Sequence, residues 1–306
     1  MEKHLYIIGN GFDKHHDIPS GYLDYRCWLE KEKRWEVLET IDDVFGYIND
    51  DWWQHFENNL ASAEALRIAI EETFQNYPKF DKISEWHDAE FSVERRMREA
   101  YEIILLSFND WVDHLLNTKI YKKMIIDAED SIFLSFNYTT TLETLYNIPP
   151  QKILYIHGKV GSTKGLVIGH GLSYKEIERR MGETVDTGDY AFQLAKDAAV
   201  RTLSKHKKKV GEIIESNQKW FSSLSNISYI HIYGHSLGDV DLPYFYNILE
   251  CVDTNNVQIE ISDYKNQNKN RIQQFMKKAH LRKEQYKIVE LLSLCPKTTL
   301  NKILYQ

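Results

Sequence analysis

The chain has 306 residues, of which 42% are hydrophobic and 27% are charged, and its formal net charge is −7 at pH 7. This composition is typical of a folded globular protein, and the negative charge argues against a protein that holds nucleic acid by long-range attraction. Three widely spaced cysteines exclude a disulfide framework and a cysteine-rich metal site. No apolar run approaches the length of a membrane span, and Met1–His4 leaves no room for a signal peptide, so we expect a soluble cytoplasmic protein with no membrane contact.

The first predicted element is a buried strand at Leu5–Ile8, which ends at Gly9-Asn10-Gly11-Phe12-Asp13. A short uncharged apolar run is typical of a central strand of a parallel sheet. Glycines at the carboxyl end of such a strand allow phosphate to approach the backbone N–H groups of the following turn. A plain strand-to-helix turn explains the same residues.

Residues 20–130 are predicted to form a helical insert, because about a hundred residues separate the first strand from the second. Apolar residues recur there at helical spacing. We interpret its tryptophans as core residues, with a base-stacking surface as the alternative. The insert contains six of the seven tryptophans: Trp28, Trp35, Trp52, Trp53, Trp86 and Trp111.

Five further apolar runs each end at a turn or at a polar residue, and helix-patterned segments separate most of them. This alternation predicts an α/β fold with a doubly wound, mainly parallel, Rossmann-like sheet, formed by residues 1–19 and 131–306. A helical stretch at 174–220 carries the lysine run 205–209, interpreted as solvated helix surface or as a lid over an anionic ligand. The five runs lie at 132–136, 153–156, 166–168, 227–233 and 257–261.

Polar residues follow these strands, and the carboxyl ends of parallel strands meet in one crevice. Asn137 is interpreted either as a helix cap or as a chemical group, and His157 either as a general base or as a structural histidine. His170 is expected to lie behind the site. The residues expected to converge are Asn10, Asp13, Asn137, His157, His170, His235, Ser236, Asp239 and Asp241. We expect no metal, because His231 and His235 lie on a strand and turn rather than on one helix face.

Gly234-His235-Ser236-Leu237-Gly238 also matches the nucleophile elbow of α/β-hydrolases, with Asp263 and His280 as the triad partners in chain order. The following segment argues against this interpretation. Asp241 as a cap and Pro243 in the first turn predict a helix that starts several residues too late for an elbow.

Four motifs in this order resemble the bacterial AbiH family, which is associated with abortive infection against bacteriophage. They are Gly-Asn-Gly-Phe-Asp at 9–13, Ser-Phe-Asn-Tyr-Thr at 135–139, Ile-His-Gly at 156–158 and Tyr-Gly-His-Ser-Leu-Gly-Asp-Val-Asp at 233–241. More distantly, the pattern is similar to that of the sirtuins (SIR2-like proteins). Thr139 replaces an Asp of that pattern, and the four-cysteine zinc module is missing, which argues against protein deacylation.

The resemblance implies a SIR2-like site that binds a dinucleotide and hydrolyses the nicotinamide–ribose bond of NAD, the substrate. Asn137 and His157 would be catalytic, and the backbone of Gly9, Asn10, Gly11 and Phe12 would hold the pyrophosphate. Asp13, Asp239 or Asp241 would bond ribose, beside the loop Gly234-His235-Ser236. The alternatives are an inactive nucleotide-binding sensor and, third, a nuclease or tRNA-directed toxin. A phage-encoded trigger or partner and a homo-oligomer stay open.

Overall fold

The computed structural model describes residues 3–46, 48–79, 82–118, 124, 126–162, 165–182 and 188–296. Parts of the predicted insert and of the predicted lid, at 47, 80–81, 119–123, 125 and 183–187, lie outside the described residues. The chain forms two compact units, which are described separately. The first unit comprises residues 1–21, 112–167 and 209–306, and the second comprises 22–111 and 168–208.

The first unit is built on a six-stranded sheet in which every neighbouring pair is parallel. The strands lie in the order β3-β2-β1-β4-β5-β6. This order confirms the predicted doubly wound fold, because the chain winds outward from β1 in one direction and then from β4 in the other. The strands are β1 (His4–Ile8), β2 (Ser131–Ser135), β3 (Ile153–Tyr155), β4 (Tyr229–Tyr233), β5 (Gln258–Ser262) and β6 (Tyr286–Val289).

One of the predicted strands is not a strand in the structure, and one strand of the sheet was not predicted from the sequence. Residues 166–168 form no strand, since they lie between Gly165 (φ +70°) and Gly169, and Val167 donates its N–H to the carbonyl of His157 instead of joining a ladder. The sixth strand is β6, an edge strand whose middle residues are exposed. Its short run with a central lysine gave no sign of a buried strand.

Helices pack on both faces of the sheet because both faces carry apolar side chains. One face of the sheet presents Leu5 and Ile232 to a core shared with α12, α13 and α14. The other presents Tyr6 and Phe133 to a core shared with α1 and α8. The helices of this unit are α1 (Asn10–His15), α8 (Thr141–Tyr146), α11 (Val210–Ser216), α12 (Gln218–Ser222), α13 (Leu242–Cys251) and α14 (Lys269–Lys278).

Short 3₁₀ segments complete the described elements. They lie at Ile83–His87, Pro150–Lys152, Ser223–Asn226, Tyr264–Asn266, Lys283–Gln285 and Leu291–Leu294.

The second unit is helical, as predicted for the insert. Its helices are α2 (Tyr22–Lys31), α3 (Trp35–Phe45), α4 (Asp50–Gln54), α5 (Phe56–Asn59), α6 (Ala65–Gln75), α7 (Asp88–Leu115, whose last turn belongs to the first unit), α9 (Tyr174–Arg180) and α10 (Tyr190–Lys205).

Aromatic residues form the core of the second unit. The Tyr25 ring is fully buried and contacts Trp53 and Trp111, at centroid distances of 5.9 and 5.2 Å. Trp28 is also buried, whereas Trp35 is 53% exposed. The core interpretation is therefore confirmed for three tryptophans and wrong for Trp35.

Candidate functional site

The site lies at the carboxyl edge of the sheet, where β1 and β4 are neighbours and the strand order reverses direction. Open α/β sheets bind ligands at such a switch point. The turn after β1 packs directly on the loop after β4. A Cβ added at Gly11 would lie 2.9 Å from the Cα of Gly234, and a Cβ at Gly234 would lie 2.0 Å from the backbone nitrogen of Phe12. These glycines therefore allow two backbone segments to touch.

The N–H groups of the predicted phosphate turn donate hydrogen bonds within the chain. Gly9 donates to the carbonyl of Tyr233 (2.9 Å), Gly11 to that of Gly234 (2.8 Å), and Phe12 to that of Gly9 (2.9 Å). The Asn10 side chain exchanges hydrogen bonds with Ser20. The pyrophosphate role of this turn stays a prediction, and it requires the phosphate to compete with these bonds.

Asp13 is a buried carboxyl group held by hydroxyls. It is 1% exposed and accepts hydrogen bonds from Thr139 (2.5 Å) and Thr141 (2.8 Å). Burial raises the pKa of Asp13 to about 6, because desolvation disfavours the charged form more than the hydrogen bonds from Thr139 and Thr141 and the nearby Asn137 amide favour it. The carboxyl group therefore ties α1 to the loop after β2.

Asn137 is not a helix cap. The N-cap position of α8 belongs to Thr140, which makes no side-chain cap hydrogen bond. The Asn137 side chain is 94% buried, and neither its nitrogen nor its oxygen has a hydrogen-bond partner among the described residues. The amide is still near enough to Asp13 to help lower the pKa of that carboxyl. Because buried polar groups are nearly always paired, an amide without a described partner at this edge makes Asn137 a candidate for contact with a ligand.

Two buried histidines face one carboxylate, and we call His157, His235 and Asp241 the edge cluster. The Nε2 atom of His157 lies 3.6 Å from Oδ1 of Asp241, and that of His235 lies 3.5 Å from Oδ2. His157 is 3% exposed and His235 is 7% exposed. The structure thus brings together two residues that were assigned to ribose or cofactor contact and one that was predicted as the base.

The local sequence explains why Asp241 faces the histidines. Asp241 is the N-cap residue of α13, as predicted, but its side chain makes no cap hydrogen bond. The usual donors are the N–H groups two and three residues on. Pro243 has no N–H, and Tyr244 donates to the backbone carbonyl of Asp241 (3.1 Å). The carboxylate is therefore not held in a helix cap, and its two oxygens face the two histidines.

Aromatic side chains surround the edge cluster. The Phe136 ring lies edge-on to His157 (5.2 Å between centroids) and to His235 (4.4 Å). Tyr244 contacts His157 and Phe245 contacts His235. Such apolar walls strengthen electrostatic interactions between the polar groups inside them.

Other predicted site residues lie elsewhere or stay exposed. Ser236 and Asp239 are exposed, and the carbonyl of Ser236 accepts a hydrogen bond from Arg271 (3.2 Å). His170 is fully buried in the second unit, where its Nε2 atom bonds the carbonyl of Leu203. Asp263 accepts from the N–H of Asn268 (2.9 Å), and no hydrogen bond joins it to His280 within the described ranges. The geometry of a hydrolase triad is therefore not formed.

Three of the four lysines in the predicted run 205–209 form ion pairs with carboxylates. Lys205 pairs with Glu94 (2.5 Å), Lys209 pairs with Glu212 (3.2 Å), and the buried Lys208 pairs with Glu57 (2.6 Å). These ion pairs agree with the solvated-surface interpretation for Lys205 and Lys209. Each of these three ammonium groups already contacts a carboxylate, whereas the alternative lid interpretation requires cations that are open to an anionic ligand. Across the described part of the chain, no group of three or more His, Cys, Asp or Glu side chains has an arrangement that could hold a metal ion.

A second cluster was not predicted from the sequence. It lies on one face of the sheet, and we call it the face cluster: His4, His231, Tyr233, Glu260 and Lys287. His4 and His231 share a 3.0 Å hydrogen bond, and Glu260 accepts from His231 (3.3 Å) and Tyr233. Lys287 pairs with Glu260 at 2.5 Å. The signal for this cluster in the sequence was the placement of polar residues at alternate positions of the strands.

A shallow surface depression of about 460 Å³ lies on the second unit, lined by Arg26 and residues 48–51. Arg26 pairs there with Asp50 at 2.7 Å. It contains no residue of the predicted site.

A family model described as bacteriophage abortive infection AbiH matches residues 5–263 of the chain. The matched stretch contains the turn after β1 and the whole edge cluster. Neither a curated protein nor a solved structure matches the chain. Among the helices that are described, none is both long and apolar enough to cross a membrane.

Proposed function

The chain belongs to the bacteriophage abortive infection AbiH family, and we propose that its carboxyl-edge site acts in phage defence by hydrolysing the nicotinamide–ribose bond of NAD in the cytoplasm. One observation carries the proposal. The buried Asn137 amide has no hydrogen-bond partner among the described residues and lies beside Asp13 at the switch point of a doubly wound sheet. A hydroxyl or water of a bound nucleotide would satisfy it.

The reaction needs a group that removes a proton near an anomeric carbon. The bond between C1′ of the ribose and the nicotinamide nitrogen breaks, and its electron pair leaves with nicotinamide. A water oxygen bonds to C1′ through an oxocarbenium-like transition state. One proton of that water must be removed, so the products are nicotinamide, ADP-ribose and a proton.

His157 is the proposed general base. It follows β3, lies at the same edge as Asn137, and is held against the Phe136 ring. An imidazole that is held against aromatic rings beside a carboxylate is suited to act as a general base. Asn137 would hold the attacking water or a ribose hydroxyl, and Asp13 and the exposed Asp239 are the proposed ribose contacts.

The test is release of nicotinamide. Purified wild type is incubated with NAD, with and without lysate from phage-infected cells to supply a phage-encoded trigger, and free nicotinamide and ADP-ribose are quantified by chromatography. We expect His157→Ala to reduce release at least 100-fold. No nicotinamide release by the wild type under either condition would refute turnover.

The matched control is His16→Ala. His16 is equally buried, but its ring nitrogens bond the carbonyl of Phe12 (2.7 Å) and the hydroxyl of Tyr146 (2.7 Å), which is a structural arrangement. We expect this variant to lower the melting temperature and to keep its activity per folded molecule.

A nucleotide-binding sensor without turnover is the second candidate. Thr139 favours it, because it stands where the sirtuin pattern has an Asp and its hydroxyl donates a hydrogen bond to Asp13. Calorimetry with NAD and ADP-ribose distinguishes the two candidates. Binding of NAD without nicotinamide release supports the sensor, and release supports the enzyme.

A further inference from the structure

The two histidines of the edge cluster differ in their hydrogen bonds. The Nδ1 atom of His235 accepts a hydrogen bond from the backbone N–H of Leu237 (2.9 Å). This nitrogen must carry a lone pair, so the proton of neutral His235 resides on Nε2, which faces Oδ2 of Asp241 at 3.5 Å. His235 is therefore fixed as a donor toward Asp241, and its Nδ1 atom is already occupied.

His157 faces the other oxygen of the same carboxylate. Its Nε2 atom lies 3.6 Å from Oδ1 of Asp241. An ionised carboxylate only accepts hydrogen bonds, so it favours the His157 tautomer with the proton on Nε2 and the lone pair on Nδ1. Both separations exceed a hydrogen bond by roughly 0.5 Å, as is common in catalytic groups before the substrate tightens the site.

We propose that Asp241 is a positioning residue that fixes His157 with its Nδ1 atom as the base, and that His235 holds Asp241 in place. This inference rests on the proposed function for the role of the base, and it replaces the expected contacts of Asp241 with ribose and of His235 with the cofactor. When Nδ1 of His157 takes a proton from water, the ionised Asp241 balances the charge of the imidazolium and does not itself accept the proton.

The structure around Asp241 supports this assignment. Pro243 and the backbone bond of Tyr244 remove the donors that would draw the carboxylate into a helix cap. The helix that begins beside it, α13, is ten residues long, and the positive end of its dipole attracts the carboxylate oxygens. The Phe136 ring contacts both histidines and restricts their rotation.

The decisive variant is Asp241→Asn, because an amide has one accepting and one donating end. His235 must still donate from Nε2, since the Leu237 N–H holds its Nδ1 as an acceptor. The amide oxygen therefore turns to His235 and the amide NH₂ turns to His157. This forces the lone pair of His157 onto Nε2 and the proton onto Nδ1, which removes the base.

Ring ¹⁵N chemical shifts of histidine-labelled protein measure the two tautomers directly, with His157→Gln and His235→Gln used to assign the signals. We expect both histidines of the wild type to carry the proton on Nε2. In Asp241→Asn we expect His157 to change to the Nδ1–H tautomer while His235 stays as it was. A wild-type His157 in the Nδ1–H form overturns the proposal, and this outcome needs no variant to fold.

Turnover gives the second readout. We expect Asp241→Asn to lower kcat for NAD hydrolysis by roughly 10³-fold or more with KM changed less than threefold. A residue that binds ribose would instead raise KM. The matched control is Glu250→Gln, an exposed carboxylate on the same helix, which should leave the His157 signals and kcat unchanged.

The two proposals fail separately. If the wild type releases no nicotinamide, the proposed function fails, and the tautomer measurement still decides whether Asp241 positions His157. If nicotinamide is released and the His157 signals of Asp241→Asn match those of the wild type, the positioning role is refuted and the hydrolase stands.

Discussion

The first unit contains two regions in which histidines and a carboxylate meet, and they are built in opposite ways. In the face cluster the contacts are within hydrogen-bond distance: His4 bonds His231 at 3.0 Å, His231 bonds Glu260 at 3.3 Å, and Lys287 pairs with Glu260 at 2.5 Å. In the edge cluster the histidines lie 3.5–3.6 Å from Asp241. The same carboxyl edge holds the Asn137 amide, which has no hydrogen-bond partner among the described residues, and the buried carboxyl group of Asp13.

The pKa values of two carboxyl groups, Glu260 and Asp13, are shifted in opposite directions in the two regions. The hydrogen bond from His231, with further help from Lys287 and Tyr233, lowers the pKa of Glu260 to about 2 despite burial. Burial raises the pKa of Asp13 to about 6, because its described partners are neutral. The face cluster is thus arranged for stability, whereas the carboxyl edge retains polar groups in unfavourable surroundings, as functional sites do.

The largest expected effect is that of Gly234→Val, which disturbs both regions at once. Gly234 has φ +70° and separates Tyr233 of the face cluster from His235 of the edge cluster. A side chain there collides with the backbone of Phe12 and is strained at positive φ. We expect a cost of about 3 kcal/mol or more and little soluble protein. A variant that melts within 3 °C of the wild type would show that the turn and the loop are not packed as described.

Gly11→Val has a milder version of the same contact, because its added carbon would meet Gly234 at 2.9 Å and no positive φ is involved. We therefore expect it to fold less stably as well as to bind NAD more weakly. Calorimetry on the folded fraction tests the phosphate role, and undiminished affinity for NAD would remove that role from this turn.

The second prediction separates function from stability. Variants at the carboxyl edge should lose function, and a variant of the face cluster should lose stability. His157→Ala and Asn137→Ala should abolish phage protection and leave the melting temperature within a few degrees. His231→Ala should lower the melting temperature, because it removes hydrogen bonds to His4 and Glu260, and should retain protection. Plaque assays and thermal melts on the three variants measure both properties. Protection retained by His157→Ala would refute the assignment of the edge as the site.

The third prediction concerns Glu260. The pKa of Glu260 in the folded state is lowered from 4.5 to about 2. Its contribution to the free energy of unfolding is therefore present above pH 4.5 and is lost as the pH falls toward 2. Glu260→Gln should therefore cost up to about 3 kcal/mol at pH 7. The difference from the wild type should shrink as the pH is lowered from 7 to 3, measured by urea unfolding. A difference independent of pH would mean that the ion pair does not stabilise the fold.

Much of the fold could be predicted from the sequence, because strands of a parallel sheet are short, apolar and locally recognisable. The starts of β1 and β2 and the late start of α13 needed only local patterns. Local patterns did not predict the strand β6 or the register that brings His231 beside Glu260, since pairing between strands distant in the chain is not encoded in any one segment.

The candidate site was predictable only in part for the same reason. Asn137 and His157 follow strands and could be identified as site residues, but nothing local showed that Asp241 would face two histidines rather than cap its helix. Pro243 was the available signal, because it removes a capping donor. Its significance depends on where β3 and β4 end in space.

The smallest expected effect is that of Asp13→Asn, and its sign is opposite to that of Glu260→Gln. Asp13 binds its proton more tightly in the folded state, so that protonation stabilises the fold below about pH 3.8 and the benefit is lost as the pH rises through about 6. The amide carries no charge at any of these pH values. We therefore expect Asp13→Asn to be more stable than the wild type by about 1 kcal/mol at pH 7.5 and to match it near pH 4.

The control is Asp13→Ala, which removes the acceptors for Thr139 and Thr141 and should destabilise the protein at every pH. Urea unfolding at pH 4, 6 and 7.5 gives the three curves. If Asp13→Asn is less stable than the wild type at pH 7.5, the carboxylate has a compensating cation and the edge resembles the face cluster. If Asp13→Asn is more stable than the wild type at pH 7.5 but binds NAD more weakly, the carboxyl group of Asp13 serves ligand binding and lowers the stability of the fold.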